Sequence, residues 1–263
     1  MSLVSQVRFT DYAASVSRAL DLIGTPDRLP PDGLILLKPN LTNADGPPVT
    51  TDVAAAEAVY RYCRAHSGAE IAIGEGCGSG ETQDAFEVNG YTALAGKYGI
   101  RLIDFNREPA VKLERPDALQ LKEFYLPKVA RDAFIVSLPV LKDHSFTRTT
   151  IAMKNMFGLA PATYYRGSWN KSKLHSPSTH RSVVDVCLYK RPGLCVVDAS
   201  VALTGMHLSG TPRSLGLILA SFDPVAVDAV SSRLLGHDPS EIEYLNLAQD
   251  LLGDMADIRI LEG

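Results

Sequence analysis

Short apolar runs alternate along this chain with longer stretches whose apolar residues recur every three or four positions. Val4–Phe9, Gly33–Leu37, Glu70–Gly74, Ile100–Phe105, Phe134–Leu138, Leu194–Val197, Leu215–Ala220 and Ile258–Leu261 read as strands, several of them apolar on both faces. Between them the spacing predicts helices over Tyr12–Ile23, Val53–Ala65, a stretch broken near Asn89-Gly90 and ending at Tyr98, Ser182–Tyr189, Asp223–Leu235 and Glu241–Leu251. Helix starts are marked by Thr10-Asp11, Thr51-Asp52 and Asp223-Pro224, where a short polar side chain can take up free amide groups. Strands alternating with helices predict an α/β fold with a mostly parallel sheet and helices on both faces. Residues 107–127 break the rhythm, and Val111–Leu113 with Leu121–Leu126 predict a small antiparallel β excursion there. With no repeat and no low-complexity linker, residues 1–263 are expected to form one domain.

The stretch from Phe134 to Leu159 departs from this plain alternation. Its buried strand, bounded by Pro139, leads to three polar residues, Lys142, Asp143 and His144. A turn at Ser145–Arg148 is followed by a predicted helix from Thr149 to Phe157 with Gly158 as its cap. Helical spacing puts Ile151, Lys154 and Asn155 on one face, so Lys154 has apolar neighbours and needs a partner for its charge. A lysine that merely reaches past apolar residues to water is the plainer alternative.

Composition narrows the function classes. The 263 residues are 46% hydrophobic and 21% charged, ordinary for a globular protein. A net charge of −4 speaks against general nucleic-acid binding. Apolar runs fall well short of the ~20 residues of a membrane span, and the opening MSLVSQVRFTDYAASV lacks the order of a signal peptide. The expected location is the cytoplasm, without a membrane. Cys63, Cys77, Cys187 and Cys195 are scattered, so no iron–sulfur cluster is expected in this chain. Charge is unevenly spread: residues 142–191 hold nine Lys/Arg and two acids, +7 in a chain of net −4. Such a block, right after the Phe134 strand, suits a cleft that attracts anions.

In open α/β sheets, ligands bind outside the carboxyl ends of the strands. That rule gathers Lys38, Asn40, Glu75, Cys77, Asp104, Lys142, His144 and Asp198. The loop Gly76-Cys77-Gly78-Ser79-Gly80 follows a strand and precedes a helix, as a dinucleotide or S-adenosylmethionine site at residues 74–80 would. Its glycine spacing fails at the third position, however, and a tight loop exposing Glu75 fits it better. His144, His175 and His180 are the candidate ligands of a divalent metal, while His66, His207 and His237 stand alone. Asp228, one turn into an apolar helix, needs buried partners.

Five motifs in order carry a resemblance: Lys38-Pro39-Asn40-Leu41, Gly74-Glu75-Gly76, Leu138-Pro139-Val140-Leu141-Lys142-Asp143-His144, Met153-Lys154-Asn155-Met156-Phe157-Gly158 and Asp223-Pro224-Val225-Ala226-Val227-Asp228. Together they resemble the family catalogued as domain of unknown function 362 (DUF362), which brings no established reaction. Many of its members carry a C-terminal ferredoxin module; this chain has no cysteine after Cys195, so a cluster would have to come from a separate partner. A second likeness, to the N-terminal domain of lactate racemases, implies a nickel-pincer cofactor held by histidines and bonded to a lysine at the position of Lys154. Departures from that family are the missing second domain and Thr147-Arg148-Thr149-Thr150 in place of its glycine-rich turn.

Two function classes follow. In the first, the chain is an enzyme acting on a small anionic metabolite. Lys38, Asn40, Glu75, Asn155 and Asp198 bind it, and Lys154, His144 and Lys142 supply acid, base or covalent chemistry. In the second, it is a non-catalytic module docking a separate ferredoxin through its basic 142–191 surface. A structural α/β protein with a degenerate site is the third alternative.

Overall fold

The computed structural model describes residues 1–263. In chain order its strands are β1 (Ser2–Arg8), β2 (Leu34–Pro39), β3 (Glu70–Glu75), β4 (Arg101–Asp104), β5 (Ala110–Glu114), β6 (Glu123–Pro127), β7 (Phe134–Leu138), β8 (Val140–His144), β9 (Arg148–Thr150), β10 (Leu194–Thr204), β11 (Thr211–Ser221) and β12 (Ile258–Glu262). The helices are α1 (Tyr12–Leu22), α2 (Val53–His66), α3 (Thr82–Val88), α4 (Tyr91–Tyr98), α5 (Lys128–Arg131), α6 (Ala152–Asn155), α7 (Ala162–Tyr165), α8 (Thr179–Tyr189), α9 (Pro224–Leu234) and α10 (Glu243–Ala248).

Ten strands form one sheet in the order β12-β1-β11-β10-β7-β2-β3-β4, with β8 beside β10 and β9 beside β8. Most pairings are parallel; β1–β11, β10–β11 and β8–β9 run antiparallel. The excursion at 107–127 is the separate antiparallel pair β5–β6. Along β2, Ile35 and Leu37 face one core and Leu36 the other; along β3, Ile71 and Ile73 oppose Ala72 in the same way. This period-two alternation buries both faces. Val16 and Leu20 of α1, Val59 and Cys63 of α2, and Leu94 of α4 cover one face. Met153 of α6, Val183 of α8, Val225 of α9 and Leu245 of α10 cover the other.

The expected caps are in place. Asp11 Oδ1 accepts from Ala14 N, Asp52 Oδ1 from Ala54 N, and Asp223 Oδ1 from Val225 N and Ala226 N, all at 2.8–2.9 Å. Three expectations are corrected. The 160–178 segment, where the apolar pattern predicts neither strand nor helix, contains α7 and a 3₁₀ turn at Ser172–His175. The helix expected over 241–251 is a 3₁₀ turn at Pro239–Glu241 followed by the shorter α10. The strand expected to end at Val197 continues to Thr204.

The strand order fixes where a ligand can enter. From β2 the chain steps outward to β3 and β4, then returns to the other side of β2 as β7. The connections therefore leave the carboxyl ends of β2 and β7 in opposite directions and open a crevice between them.

Candidate functional site

At the end of β7, Pro139 breaks the pairing and the chain continues as β8. Because β8 is extended, Lys142 and His144 point to one side and Asp143 to the other. Asp143 binds His237 Nε2 and Gly205 N, each at 2.7 Å. The turn brings back β9 so that Thr150 lies opposite Lys142. This corrects the helix expected from Thr149: β9 takes residues 148–150, and the helix is the single turn α6 followed by a 3₁₀ turn at Met156–Leu159. Thr147, Thr149, Thr150 and Ile151 are β-branched and favour extended backbone, which beats the helical spacing of the apolar residues.

α6 is too short to stand alone, and its start is held from outside. Asp228, on α9, accepts from Ala152 N at 2.8 Å, Met153 N at 3.2 Å and the Tyr244 hydroxyl at 3.1 Å. It therefore finds the partners a buried carboxylate requires. Burial pushes its pKa up to about 7.

Beneath the crevice runs a closed polar network. Lys38 Nζ donates to both Glu75 oxygens at 2.9–3.0 Å and to Asn155 Oδ1 at 3.1 Å. Asn155 Nδ2 donates to Lys38 O and Ser137 Oγ, both at 3.0 Å. Asn40 donates to Asn155 Oδ1 at 3.3 Å and accepts from Lys142 Nζ at 2.6 Å. Glu75 also takes Leu41 N at 3.1 Å and Gly76 N at 2.8 Å, so its oxygens are fully engaged. Gly158 lets this layer close: a Cβ there would strike Glu75 Oε1 and Lys38 Nζ. Gly76 is pressed against Gly158 O, Asn106 and Lys171. Two glycines of the 74–80 loop and the Phe157-Gly158 turn thus serve close backbone approach.

Above the network lies a cavity of about 310 Å³, at the small end of the ~300–1,000 Å³ range of ligand sites. Only four of its nineteen lining residues are hydrophobic, and its charged and polar side chains are set in a largely apolar wall. Three lysines line it. Lys142 Nζ is tied to Asn40 and, at 2.8 Å, to Val49 O. Lys171 Nζ is tied to Asn106 Oδ1 at 2.5 Å and to Ala160 O. Lys154 is nine-tenths buried as a residue; its Nζ sits 4.9 Å from the centre of the Phe157 ring and forms neither a hydrogen bond nor an ion pair. Burial pulls Lys142 and Lys171 down to about 7 and Lys154 down to about 8; the charge of Lys154 presses further on Lys142. The lone carboxylate in the wall, Glu75, is spent on Lys38.

The histidines divide by their hydrogen bonds. His144 Nδ1 accepts from Phe146 N at 3.0 Å and Thr147 N at 3.4 Å, so its neutral ring carries the proton on Nε2. Burial first, and Lys154 second, hold its pKa far below the usual histidine range. His144 is thus a hydrogen-bond donor to the cavity. His175 is the opposite tautomer: Nδ1 donates to Lys171 O at 3.0 Å, leaving a lone pair on Nε2. Burial and the charge of Lys154 lower it to about 4. His207 stacks on His144 with centroids 4.1 Å apart, and its Nδ1, like Thr150 Oγ1, is buried without a protein partner.

Of the residues expected at the site, Asn40, Glu75, Lys142, His144, Lys154, Asn155 and His175 line this cavity. Lys38 does not: it is fully buried below, as counter-ion to Glu75. Asp198 is also displaced, because β10 runs on past it. It shares the face of Val196 and binds Tyr12 OH at 2.8 Å and Ser200 Oγ at 2.6 Å. His180 lies in the first turn of α8, where its Nδ1 accepts from Tyr244 N at 3.2 Å and its Nε2 lies 3.9 Å from Glu243. The expected metal trio of His144, His175 and His180 therefore does not converge, and no three His, Cys, Asp or Glu side chains form a metal-ligand group. With the His144 Nδ1 lone pair committed to backbone amides, the residues present do not fit the histidine set that the nickel-pincer likeness implies. Lys171, His207 and Thr150 are additions that no motif announced. The basic block is divided too: Lys142, Lys154 and Lys171 are internal, while Lys190 and Arg191 sit at the opposite end of β10.

No helix is long and apolar enough to cross a membrane. Over 229 residues the chain is 29% identical to a thylakoid-associated protein of Synechocystis sp., covering 85% of this chain and 69% of that protein. The profile of the family described as "Domain of unknown function (DUF362)" matches residues 35–233, a span holding the lysine network, the cavity lysines and Asp228. The chain belongs to the DUF362 family.

Proposed function

We propose that this chain is an enzyme that binds a small anionic metabolite in the cavity at the switch point and acts on it through Lys154. One observation carries the reading: Lys142, Lys154 and Lys171 line a single small cavity whose one carboxylate is already paired. Burying ammonium groups without a counter-charge is costly, and an anion entering the cavity offsets that cost for three of them. Lys142, Lys171 and the Nε2–H of His144 are fixed donors for the anionic group. Lys154, which nothing ties down, is left to react, with the His175 lone pair as proton acceptor.

Titration calorimetry with sulfate, phosphate, malonate and 2-oxoglutarate at pH 7 tests the reading. At least one is expected to bind saturably with one-to-one stoichiometry. Lys171→Gln and Lys142→Gln should each weaken it by about 1.5–3 kcal/mol, ten- to a hundredfold, as expected for loss of a charge-assisted hydrogen bond. Absence of saturable binding to every anion would remove the proposal.

A further inference from the structure

The cavity treats its three lysines differently, and the difference names a substrate class. Lys142 and Lys171 each have two protein acceptors that fix the ammonium group in place. Lys154 is also buried, though slightly less deeply, yet its nitrogen has no acceptor and sits 4.9 Å from the centre of the Phe157 ring. A lysine meant only to bind an anion gains from being held, as the other two are. An amine left unheld while its two neighbours in the wall are fixed suits a nucleophile, because burial favours its neutral form and no hydrogen bond has to break before it reacts.

Resting on the anion-binding reading above, we propose that the ligand is a small oxo acid whose carbonyl carbon is attacked by Lys154 Nζ to form an imine. The step balances without a co-reactant. The nitrogen lone pair forms the C–N bond as the carbonyl π pair moves to oxygen. The nitrogen loses a proton, taken up through the His175 Nε2 lone pair, and the oxygen gains one. Water then leaves as the C=N bond forms, so amine and carbonyl give imine and water. The acid's carboxylate rests on Lys142, Lys171 and the His144 Nε2–H. Thr150 Oγ1, buried without a partner beside Lys142, is placed to hydrogen-bond the departing oxygen.

Reductive trapping tests this directly. The full chain is incubated with pyruvate or 2-oxoglutarate and sodium cyanoborohydride, then read by intact mass and peptide mapping. A single secondary-amine adduct is expected, confined to the peptide holding Lys154, competed by sulfate and lost in Lys154→Arg, which keeps the charge. Methyl pyruvate, with the same carbonyl and no carboxylate, should label at least tenfold more slowly. Peptide mapping of the unsubstituted chain makes the result independent of whether the variant folds. Adducts spread over surface lysines, or no adduct although calorimetry shows the oxo acid bound, overturns the imine and leaves the anion site standing. No adduct and no binding overturns both.

Discussion

At the residue scale the most consequential pair is one whose charges are spent on each other. Lys38 and Glu75 are both buried, 2.9 Å apart, and each is further satisfied by Asn155 or by backbone amides. Removing one member of such a pair strands the other charge, at a cost of about 3–5 kcal/mol, whereas replacing both with apolar groups is often neutral. Lys38→Met is therefore expected to lower urea stability by that amount, and Lys38→Met with Glu75→Leu to recover most of it. Equal stability of the single and double variants would show that the pair is not coupled as drawn. The residues of this pair were legible as site residues from their place at strand ends, but not their role. Sequence position says that a lysine reaches the rim, whereas its burial beneath the rim depends on Gly158 admitting the carboxylate above it.

Among the elements, α6 shows best why local pattern is not enough. The apolar spacing of residues 149–157 reads as a helix, and the strands of the sheet were readable for the same reason, as runs whose burial is set by their own composition. Yet one turn of helix forms, because the β-branched run ahead of it pairs with β8 and because its free amides are bound by Asp228, 75 residues away from Met153. Nothing near Lys154 in sequence reports that partner; the only trace was a carboxylate in an apolar helix. Asp228→Ala leaves the two buried amides of Ala152 and Met153 unpaired and should cost about 2–4 kcal/mol in urea unfolding, with weaker anion binding because Lys154 rides on α6. The pH dependence has a definite sign. Burial raises the Asp228 pKa from 3.8 to about 7, so the folded chain holds this proton more tightly than the unfolded one. Its contribution is complete below about pH 4 and is lost as pH rises through 7. The stability of the unsubstituted chain relative to Asp228→Asn should therefore fall between pH 4 and 7. A difference that stays flat across that window would mean the carboxyl is already ionised at the acid end.

The whole molecule places its charge against its own average. A chain of net −4 internalises four lysines at the point where the sheet changes direction, Lys38 paired with Glu75 and three others without a carboxylate partner. The sheet order brings together residues far apart in sequence, which is why Lys171 and His207 escaped a reading based on motifs. The arrangement makes folding and binding depend on pH in opposite directions. The pKa values of Lys142 and Lys171 are lowered from 10.5 to about 7, and that of Lys154 to about 8. Relative to the unfolded chain, these lysines destabilise the empty fold fully below about pH 7, and progressively less as pH rises toward 10.5. An anion in the cavity counters the same penalty, so its stabilising effect is largest where the lysines are charged. Sulfate is the suitable probe, since its charge is constant over this range; chloride at equal ionic strength and Lys142→Met with Lys171→Met control for general salt effects. The sulfate-induced rise in Tm should be greatest at pH 6, shrink by pH 9, and vanish at both in the double variant. A rise equal at pH 6 and pH 9 would mean that the sulfate effect does not come from charged lysines in the cavity.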